Sequence, residues 1–246
     1  VAQHAPAAFG GSGPAERRTM IVADQMKVIK ISGRGESKDV LDERVVRIIG
    51  KIPKKVTIAC SGGIDSMVVA HFLRQSRRKV NLAYFNHDTA HSRKAEDFVK
   101  HYADQNNLNL EVGRVEGTKG KRSMEEFWRD ERYSFFDSIK SNFIITCHHL
   151  DDCVETWLMS SFHGQGKLIP YKREENIFRP FLMTSKKTIK DYAERKGVEY
   201  IEDPSNQNTN FMRNHVRKKV VPEVLVVNPG IRTTIRKKLI ENFKDF

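Results

Sequence analysis

The sequence predicts an α/β fold, a doubly wound parallel sheet with a short helical C-terminal extension. From residue 55 onward, short apolar runs of strand-like composition alternate with amphipathic stretches of helical spacing. This alternation is typical of parallel sheets, because two parallel strands are usually joined by a crossover helix. The first apolar run also leads through two adjacent glycines into a helical pattern, as the first strand of such a sheet commonly does.

The predicted elements follow one another along the chain. Strands are expected where apolar residues run almost continuously, at residues 56–60, 80–85, 108–115 and 142–147. Helices are expected where apolar residues recur on one face, at residues 39–49, 66–73, 92–106, 123–139, 151–162 and 185–196. Ser123 and Glu126 form a capping-box pattern, and Gly197 ends the last of these helices.

The remaining segments complete a three-part organisation. We expect a loop or hairpin at 167–178, a turn at 203–206 and two helical stretches separated near 228–230. Residues 1–19 lack a periodic apolar face and are predicted to be an irregular extension. Residues 20–200 are predicted to form the sheet domain, and residues 201–246 a basic helical extension.

Composition excludes several classes of protein. The 246 residues are enough for one α/β domain, or for one domain and an appendage. No apolar stretch is long enough to cross a bilayer, so no membrane partner is expected. The three cysteines, Cys60, Cys147 and Cys153, form no C-x-x-C pair, which argues against a disulfide framework or a cysteine-rich metal site. A reducing, cytoplasmic location is therefore expected.

The chain is strongly basic, with a formal net charge of +12. From Phe211 to the end there are nine basic and three acidic residues, which account for half of that excess. Such a segment favours a polyanionic partner, of which nucleic acid is the most common. A solvated helical surface is the alternative interpretation.

The first motif follows the first predicted strand and reads Ser61-Gly62-Gly63-Ile64-Asp65-Ser66. Two adjacent glycines let the main chain approach a polyphosphate closely. The helix that follows offers free N–H donors and a partial positive charge to an anion. The spacing is neither G-x-x-x-x-G-K-[ST] nor G-x-G-x-x-G, and no lysine follows the loop.

The second motif follows the fourth predicted strand and reads His148-His149-Leu150-Asp151-Asp152-Cys153-Val154-Glu155-Thr156. A helix would put Asp152 and Glu155 on one face, with Asp151 also beside Glu155. Clustered carboxylates can hold Mg²⁺, bind an amine or take a proton. The alternative is that these carboxylates only stabilise the helix N-terminus through its dipole. Adjacent histidines do not easily chelate one ion, so we do not expect zinc. Because both motifs follow strand ends, we expect them to line one crevice.

These motifs resemble those of a known family. The first resembles the S-G-G-x-D-S loop of the N-type ATP pyrophosphatases, the PP-loop superfamily. Together with the second, which matches H-H-x-D-D-x-x-E-T, it resembles the tRNA(Ile)-lysidine synthetase family over about residues 56–229. Further matches, in chain order, are Glu125-x-x-x-Arg129-x-x-Arg132-Tyr133, Arg179-Pro180, Glu202-Asp203-Pro204-Ser205-Asn206, and Arg213-Asn214-His215-Val216-Arg217 with Pro222.

The resemblance implies an adenine nucleotide alpha hydrolase-like fold, with a PP-loop ATP pyrophosphatase domain at 20–200. It implies a carbon–nitrogen ligase that modifies tRNA(Ile) with a CAU anticodon. ATP adenylates the C2 oxygen of the wobble cytidine and releases pyrophosphate; the amine of L-lysine then attacks C2 and expels AMP. The implied cofactors are ATP and Mg²⁺. The oligomeric state is left open, with a homodimer as one option.

The resemblance also implies residue roles. Asp152 and Glu155 are expected to bind lysine, and Asp65 to bind Mg²⁺. Arg213 is expected to neutralise phosphate or hold the activated base, which completes a catalytic set of Asp65, Asp152, Glu155 and Arg213. The nucleotide is expected to contact Ser61, Gly62, Gly63, Ile64, Asp65, Ser66, His87 and His148.

The sequence departs from the family pattern in two ways. Asn86-His87-Asp88 stands where the family usually has D-H-G. The chain is expected to be a minimal form that lacks the usual C-terminal domains. Two alternatives stay open: another PP-loop tRNA-modifying enzyme such as a thiolase, for which Cys60 and Cys147 would matter, and a non-catalytic RNA-binding homologue. Arg129 and Arg132 could equally serve helix packing.

Overall fold

The computed structural model describes residues 19–22, 27–30 and 45–243. Two short strands, β1 (Thr19–Val22) and β2 (Lys27–Lys30), pair in antiparallel fashion. This pair is not among the strands expected from the sequence. Apart from Thr19, the irregular extension expected at 1–19 lies outside the described residues.

Six strands form the main sheet, in the spatial order β5-β4-β3-β6-β8-β7. Neighbouring strands are parallel except for β7, which runs antiparallel to β8. The predicted strand at 142–147 contributes only two residues to the ladder, and the predicted hairpin at 167–178 is β7–β8. The strands are β3 (Lys55–Ala59), β4 (Lys79–Asn86), β5 (Leu110–Arg114), β6 (Ile144–Ile145), β7 (Lys172–Arg173) and β8 (Ile177–Phe178).

Five helices follow the strands, and each matches its predicted range to within two residues at both ends. The Ser123 hydroxyl accepts a hydrogen bond from the Glu126 N–H at 3.1 Å, and Gly197 ends the last helix with φ of +62°. Both cap predictions are therefore confirmed. The helices are α1 (Ile64–Gln75), α2 (Ala90–Gln105), α3 (Met124–Ser138), α4 (Leu150–Ser161) and α5 (Lys186–Lys196).

The C-terminal region is helical, as predicted. A 3₁₀ turn spans Pro204–Gln207. The first of the two predicted helical stretches then begins with α6 (Met212–His215), passes through a π turn (Val216–Val220) and ends as α7 (Val221–Val227). The last helix is α8 (Ile231–Phe243). Within the described ranges, no helix combines the length and apolar character that a bilayer crossing needs.

The strand order confirms the doubly wound parallel sheet. The chain moves outward from β3 to β4 and β5, and α3 then carries it back to β6 on the other side of β3. The order therefore reverses between β3 and β6. Ligands of such sheets bind beyond the carboxyl ends of the strands at this point. The central strands β3, β4 and β6 are firmly packed, because Ile58, Leu82 and Ile145 are fully buried.

One predicted element is wrong in its described part. Residues 39–44 lie outside the described ranges, but residues 45–49 are not helical, and Arg47 forms an isolated β-bridge. Their main chain is bonded elsewhere: the Arg47 N–H donates to the Thr184 hydroxyl, which donates to the Arg47 carbonyl, and the Ile49 N–H donates to the Pro180 carbonyl. These tertiary hydrogen bonds replace the internal bonds that a helix would need.

Helix α8 shares a core with α4. Ile231, Ile235 and Leu239 are buried in the same apolar cluster as Leu150 and Cys153. The C-terminal helices therefore pack on the sheet domain. A domain boundary at residue 200 stays a prediction, which a substitution in this cluster can test.

We expect Ile235→Ala to lower the free energy of unfolding of the whole chain by about 2–4 kcal/mol, because it removes a fully buried side chain from a shared core. Urea denaturation followed by circular dichroism should show one transition shifted to lower urea. Val227→Ala is the control, since Val227 is 87% exposed. A transition that stays in place for Ile235→Ala would show that α8 folds independently of the sheet.

Candidate functional site

The two sequence motifs meet at the point where the strand order reverses. Strands β3 and β6 pair directly, with Thr57 opposite Ile144 and Ile58 opposite Ile145. The glycine loop leaves the carboxyl end of β3, and the histidines leave the carboxyl end of β6. The two segments therefore lie side by side, although more than 80 residues separate Asp65 from His149 in the sequence.

Gly62 and Ser66 hold the glycine loop in shape. Gly62 has φ of +77°, a conformation that other residues adopt only with strain, and its carbonyl accepts a hydrogen bond from the Ile201 N–H. The buried Ser66 hydroxyl donates to the Gly63 carbonyl at 2.9 Å and accepts from the Ser61 N–H at 3.1 Å. These contacts give the two serines and Gly62 a role in ordering the loop itself.

Gly63 differs from Gly62. It precedes the first turn of α1 with φ of −74°, which any residue can adopt. A Cβ at Gly63 would meet only the Ser61 Oγ, at an ordinary 3.4 Å. The packing of the protein therefore does not require a glycine here. The open face of the loop leads to the α1 N-terminus, whose N–H groups suit an anion.

Asp65 lies in the first turn of α1, at the mouth of the crevice. Its Oδ1 atom accepts a hydrogen bond from the Lys186 ammonium at 2.6 Å, and the His149 Nε2 atom lies 3.5 Å away. Among the described residues, no group of three or more His, Cys, Asp or Glu side chains could hold a metal ion. Mg²⁺ usually needs only one or two carboxylates when a substrate phosphate supplies further ligands, so a single carboxylate here fits that ion.

His149 connects the two motifs. It caps α4 reciprocally with Asp152: the His149 N–H donates to the Asp152 carboxylate at 2.9 Å, and the Asp152 N–H donates to His149 Nδ1 at 3.4 Å. With Nδ1 acting as an acceptor, Nε2 carries the proton. Nε2 lies 3.5 Å from carboxylate oxygens of both Asp65 and Asp152. One imidazole thus spans the loop and the second motif.

Asp152 and Glu155 share two arginines from the C-terminal region. Glu155 is buried and accepts hydrogen bonds from Arg213 Nε at 3.0 Å and from Arg217 Nε and Nη2 at 2.6 and 2.9 Å. Asp152 is held more loosely, with Arg213 and Arg217 nitrogens 3.4 and 3.5 Å from its Oδ1 atom. Burial acts to raise the pKa of Asp152, but the nearby Arg213 guanidinium and the hydrogen bond from the His149 N–H hold it well below its usual range.

Asp151 has separate partners. It accepts the Lys186 N–H at 2.7 Å and two donors of the Arg232 guanidinium at 2.9 and 2.7 Å. Burial acts to raise the pKa of Asp151, but these donors hold it below its usual value. Asp151 therefore ties α4 to both α5 and α8.

The two histidines assigned to the nucleotide lie apart from each other. His148 follows β6, and its Nδ1 lies 3.1 Å from the Thr146 hydroxyl. Burial lowers the pKa of His148 to about 3. His87 follows β4, where it contacts the rings of Phe85 and Trp128, and burial lowers its pKa to about 4. Both imidazoles are therefore neutral at pH 7.

Asn86 orders the turn after β4. Its buried side chain donates to Glu96 at 2.5 Å and accepts from the Asp88 N–H and the Ser92 hydroxyl, both at 2.7 Å. These partners explain how an asparagine is accommodated where the family usually has an aspartate.

A group of arginines surrounds Tyr133 near His148. The Arg173 and Arg132 guanidiniums lie 3.7 and 5.7 Å from the centre of the Tyr133 ring, and Arg179 donates to its hydroxyl at 3.4 Å. Burial acts to raise the pKa of Tyr133, but these cations lower it overall. Arg132 therefore contacts an aromatic ring, which agrees with the packing interpretation considered for it.

The cysteines are poorly suited to reaction. Cys60 and Cys153 are buried, and burial raises the pKa values of both thiols. Cys147 also has its pKa raised well above the ordinary value by burial and by the nearby Cys60, Asp65 and Asp152. Because the thiolate is the reactive form, all three thiols are expected to be inert at neutral pH.

Sequence reasoning missed four residues of this site. His149 and Arg217 lie inside motifs that were noticed, but no role was assigned to them. Arg232 was counted only as part of the basic C-terminal segment, and Lys186 had no signal. No local pattern predicts their contacts, because they meet Asp151 and Asp65 from positions 81 and 121 residues further along the chain.

Comparisons with known proteins agree with this geometry. The PP-loop domain family matches residues 38–224. The chain is 34% identical over 201 residues to a tRNA(Ile)-lysidine synthase of Persephonella marina, covering 74% of this chain and 44% of that protein. It is 33% identical over 194 residues to the tRNA(Ile)-lysidine synthase of Lactiplantibacillus plantarum, covering 72% and 43%. The chain therefore spans less than half the length of these curated relatives.

A solved structure supports the fold. A U34-tRNA thiolase from Methanococcus maripaludis, determined with its [4Fe-4S] cluster, matches with a TM-score of 0.60 at 15% identity, covering 78% of this chain and 73% of that one. At this identity the likeness concerns the fold alone.

The lowered pKa of Asp151 predicts a pH-dependent contribution to stability. Such a carboxylate stabilises the fold above its unfolded pKa, which is about 3.9, and the contribution is lost as pH falls through the folded value. We expect Asp151→Asn to be less stable than the wild type at pH 7, and the difference in melting temperature to shrink between about pH 5 and pH 3.

The control for this prediction is Asp130→Asn. Asp130 pairs with Arg122 on the surface and is 51% exposed, so its removal should change the melting temperature little at any pH. A difference between wild type and Asp151→Asn that stays constant from pH 7 to pH 3 would contradict the role of the Asp151 charge.

Proposed function

We propose that the chain, which belongs to the PP-loop family, is an ATP-dependent ligase that joins L-lysine to C2 of the wobble cytidine of tRNA(Ile) with a CAU anticodon. The observation that carries this proposal is the convergence of two carboxylates on one imidazole: Asp65 of the glycine loop and Asp152 of the second motif both lie 3.5 Å from His149 Nε2. This proximity supports a nucleotide site at the glycine loop with an amine-binding site beside it. The tRNA(Ile)-lysidine synthase names of the curated relatives support the choice of substrates.

The glycine loop would bind the nucleotide phosphates. The Gly63 side of the loop is open, and the first-turn amides of α1, including those of Ile64 and Asp65, can donate to phosphate oxygens. Asp65 would hold Mg²⁺, which when bound neutralises the charge that develops on the leaving pyrophosphate. We assign His87 and His148 to the rim of this site as neutral imidazoles, in line with their lowered pKa values.

Asp152 would hold the lysine ammonium. Its contacts to the arginines are long, at 3.4 and 3.5 Å, so a competing cation can replace them at little cost. Because its pKa is held low, Asp152 suits binding of the ammonium better than acceptance of its proton. Glu155, by contrast, is saturated by Arg213 and Arg217. We therefore propose that Glu155 positions Arg213, which faces the activated base or its phosphate.

The exposed lysines of the C-terminal helices would contact RNA. Arg213, Arg217 and Arg232 point inward to carboxylates of α4, so they contribute less to an external field. Lys219 and Lys238 are exposed. These outward charges can pair with a phosphate backbone, which supports tRNA as the partner. The free, buried thiols of Cys60 and Cys153 support a reducing, cytoplasmic location.

A thiolase is the less favoured alternative. Sulfur transfer by cysteine needs an accessible thiolate, and the raised pKa values of Cys60 and Cys147 disfavour it. A non-catalytic RNA-binding homologue would bind tRNA but transfer nothing. An assay with ATP, labelled lysine and a CAU-anticodon tRNA separates the three functions. Incorporation of lysine supports the ligase, sulfur transfer would support the thiolase, and tRNA binding without either reaction would support the binding protein.

We expect Asp152→Asn to reduce lysine transfer by roughly a hundredfold, since a charge-assisted contact to the ammonium is lost, and to reduce adenylation of the tRNA much less. The two half-reactions can be measured separately, as pyrophosphate release without lysine and as labelled lysine on tRNA. The surface substitution Asp130→Asn is the control. Equal losses in both half-reactions would contradict an amine-binding role for Asp152.

We expect Gly62→Ala and Gly63→Ala to differ. Gly62→Ala forces an L residue to φ of +77° and should destabilise the fold by about 1–2 kcal/mol. Gly63→Ala should keep the wild-type melting temperature but weaken ATP binding by about tenfold or more, because the methyl group would occupy the open side that phosphate approaches. Calorimetric titration with ATP measures this effect. Undiminished ATP affinity in Gly63→Ala would place the phosphates elsewhere.

A further inference from the structure

Lys186 brings a positive charge to the glycine loop from a distant part of the chain. It is the first residue of α5, and its ammonium donates to Asp65 Oδ1 at 2.6 Å. The loop itself contains no lysine. The structure therefore places beside the loop a charge that the loop sequence lacks.

The position of Lys186 is fixed by its own main chain. Its N–H donates to Asp151 at 2.7 Å, and the Ser185 hydroxyl caps α5 by accepting the Thr188 N–H at 3.1 Å. The preceding Thr184 carbonyl accepts the Leu150 N–H at 2.8 Å, which joins this segment to the start of α4. The main chain of Lys186 is thus held in place by hydrogen bonds, and its ammonium extends into the crevice.

The Lys186 ammonium has donors to spare. A lysine ammonium has three N–H donors, and among the described residues Asp65 is the one acceptor within hydrogen-bond distance. The side chain is 32% exposed, so the ammonium can be reached from the crevice. It lies at the N-terminal end of α1, whose first-turn N–H groups have no partner within the helix. The Lys186 ammonium and the main-chain N–H groups at the start of α1 can therefore donate to the same anion.

We propose that Lys186 binds the β- and γ-phosphates of ATP and stabilises the pyrophosphate as it leaves. This inference deepens the proposed function and rests on it. In the adenylation step a bond forms between the C2 oxygen of the base and the α-phosphorus, and the bond from that phosphorus to the bridging oxygen breaks. The electron pair leaves with pyrophosphate. Lys186 donates hydrogen bonds to that developing charge and transfers no proton.

A purely structural role is the competing explanation. In that case the bond from Lys186 to Asp65 would serve only to join α5 to the loop, and its loss would disturb every ligand of the loop alike. A phosphate-binding role predicts a different result. When the Lys186 ammonium is removed, ligands with β- and γ-phosphates should lose affinity, whereas AMP, which lacks these phosphates, should not.

The test compares ATP, pyrophosphate and AMP by calorimetric titration of the full chain. We expect Lys186→Met to weaken binding of ATP and pyrophosphate by about ten- to a hundredfold, the range for a lost charge-assisted hydrogen bond, and to change AMP affinity by less than about twofold. Lys186→Arg keeps the charge and should restore part of the affinity. Lys187→Met is the matched control, since Lys187 is the next residue, is 63% exposed and pairs with Asp191.

Two results for Lys186→Met would overturn the proposal. One is an equal loss of AMP and ATP affinity in Lys186→Met, which would show that the residue acts only by positioning the loop. The other is unchanged affinity for pyrophosphate and ATP. If the expected pattern is found but wild-type protein attaches no lysine to tRNA, the ligase function fails while the role of Lys186 stands. Failure of wild-type protein to bind ATP would contradict both.

Discussion

The parallel pairing of β3 with β6 is the constraint on which the rest of the site depends. It consists of two residue pairs, Thr57 with Ile144 and Ile58 with Ile145. Because the strands are parallel, their carboxyl ends lie at the same edge, and the segments that follow them must meet. His149 completes the junction by reaching a carboxylate on each side. Ile58 and Ile145 of this short ladder are fully buried. The ladder thus sets the distances between the side chains of the two motifs that follow β3 and β6.

Electrostatics then link the site to the second half of the chain. Each carboxylate of the crevice has a cation that comes from beyond residue 180: Asp65 from Lys186, Asp151 from Arg232, and Glu155 from Arg213 and Arg217. Buried carboxylates need such partners, because an unpaired buried charge is costly. The basic C-terminal region is therefore partly an internal counterion for α4. The positive charge that this region offers to an external partner is therefore smaller than its net charge.

The fold could be predicted from the sequence to a large extent, because its signals are local. The helical spacing of apolar residues predicted α1 to α5. Gly197 predicted the end of α5, because glycine readily adopts the left-handed conformation that ends a helix. The segment at 45–49 was predicted wrongly, since its conformation is decided by hydrogen bonds to Pro180 and Thr184 and not by its own pattern. The same limit applies to the site. Gly62 and Asp152 could be found from their spacing, whereas Lys186 meets Asp65 across 121 residues, and no local pattern records such a contact.

The pairing of α4 with later cations has a consequence for synthesis on the ribosome. The chain emerges from its N-terminus, so Glu155 appears 58 residues before Arg213 and 62 before Arg217, and Asp151 appears 81 residues before Arg232. At about 5–20 residues per second, this delay is on the order of ten seconds. During that time Glu155 and Asp151 lack these guanidinium partners, and an unpaired carboxylate favours water over the core. The nascent chain can therefore pair β3 with β6 early, but the ion pairs of α4 form only after Arg213, Arg217 and Arg232 have emerged.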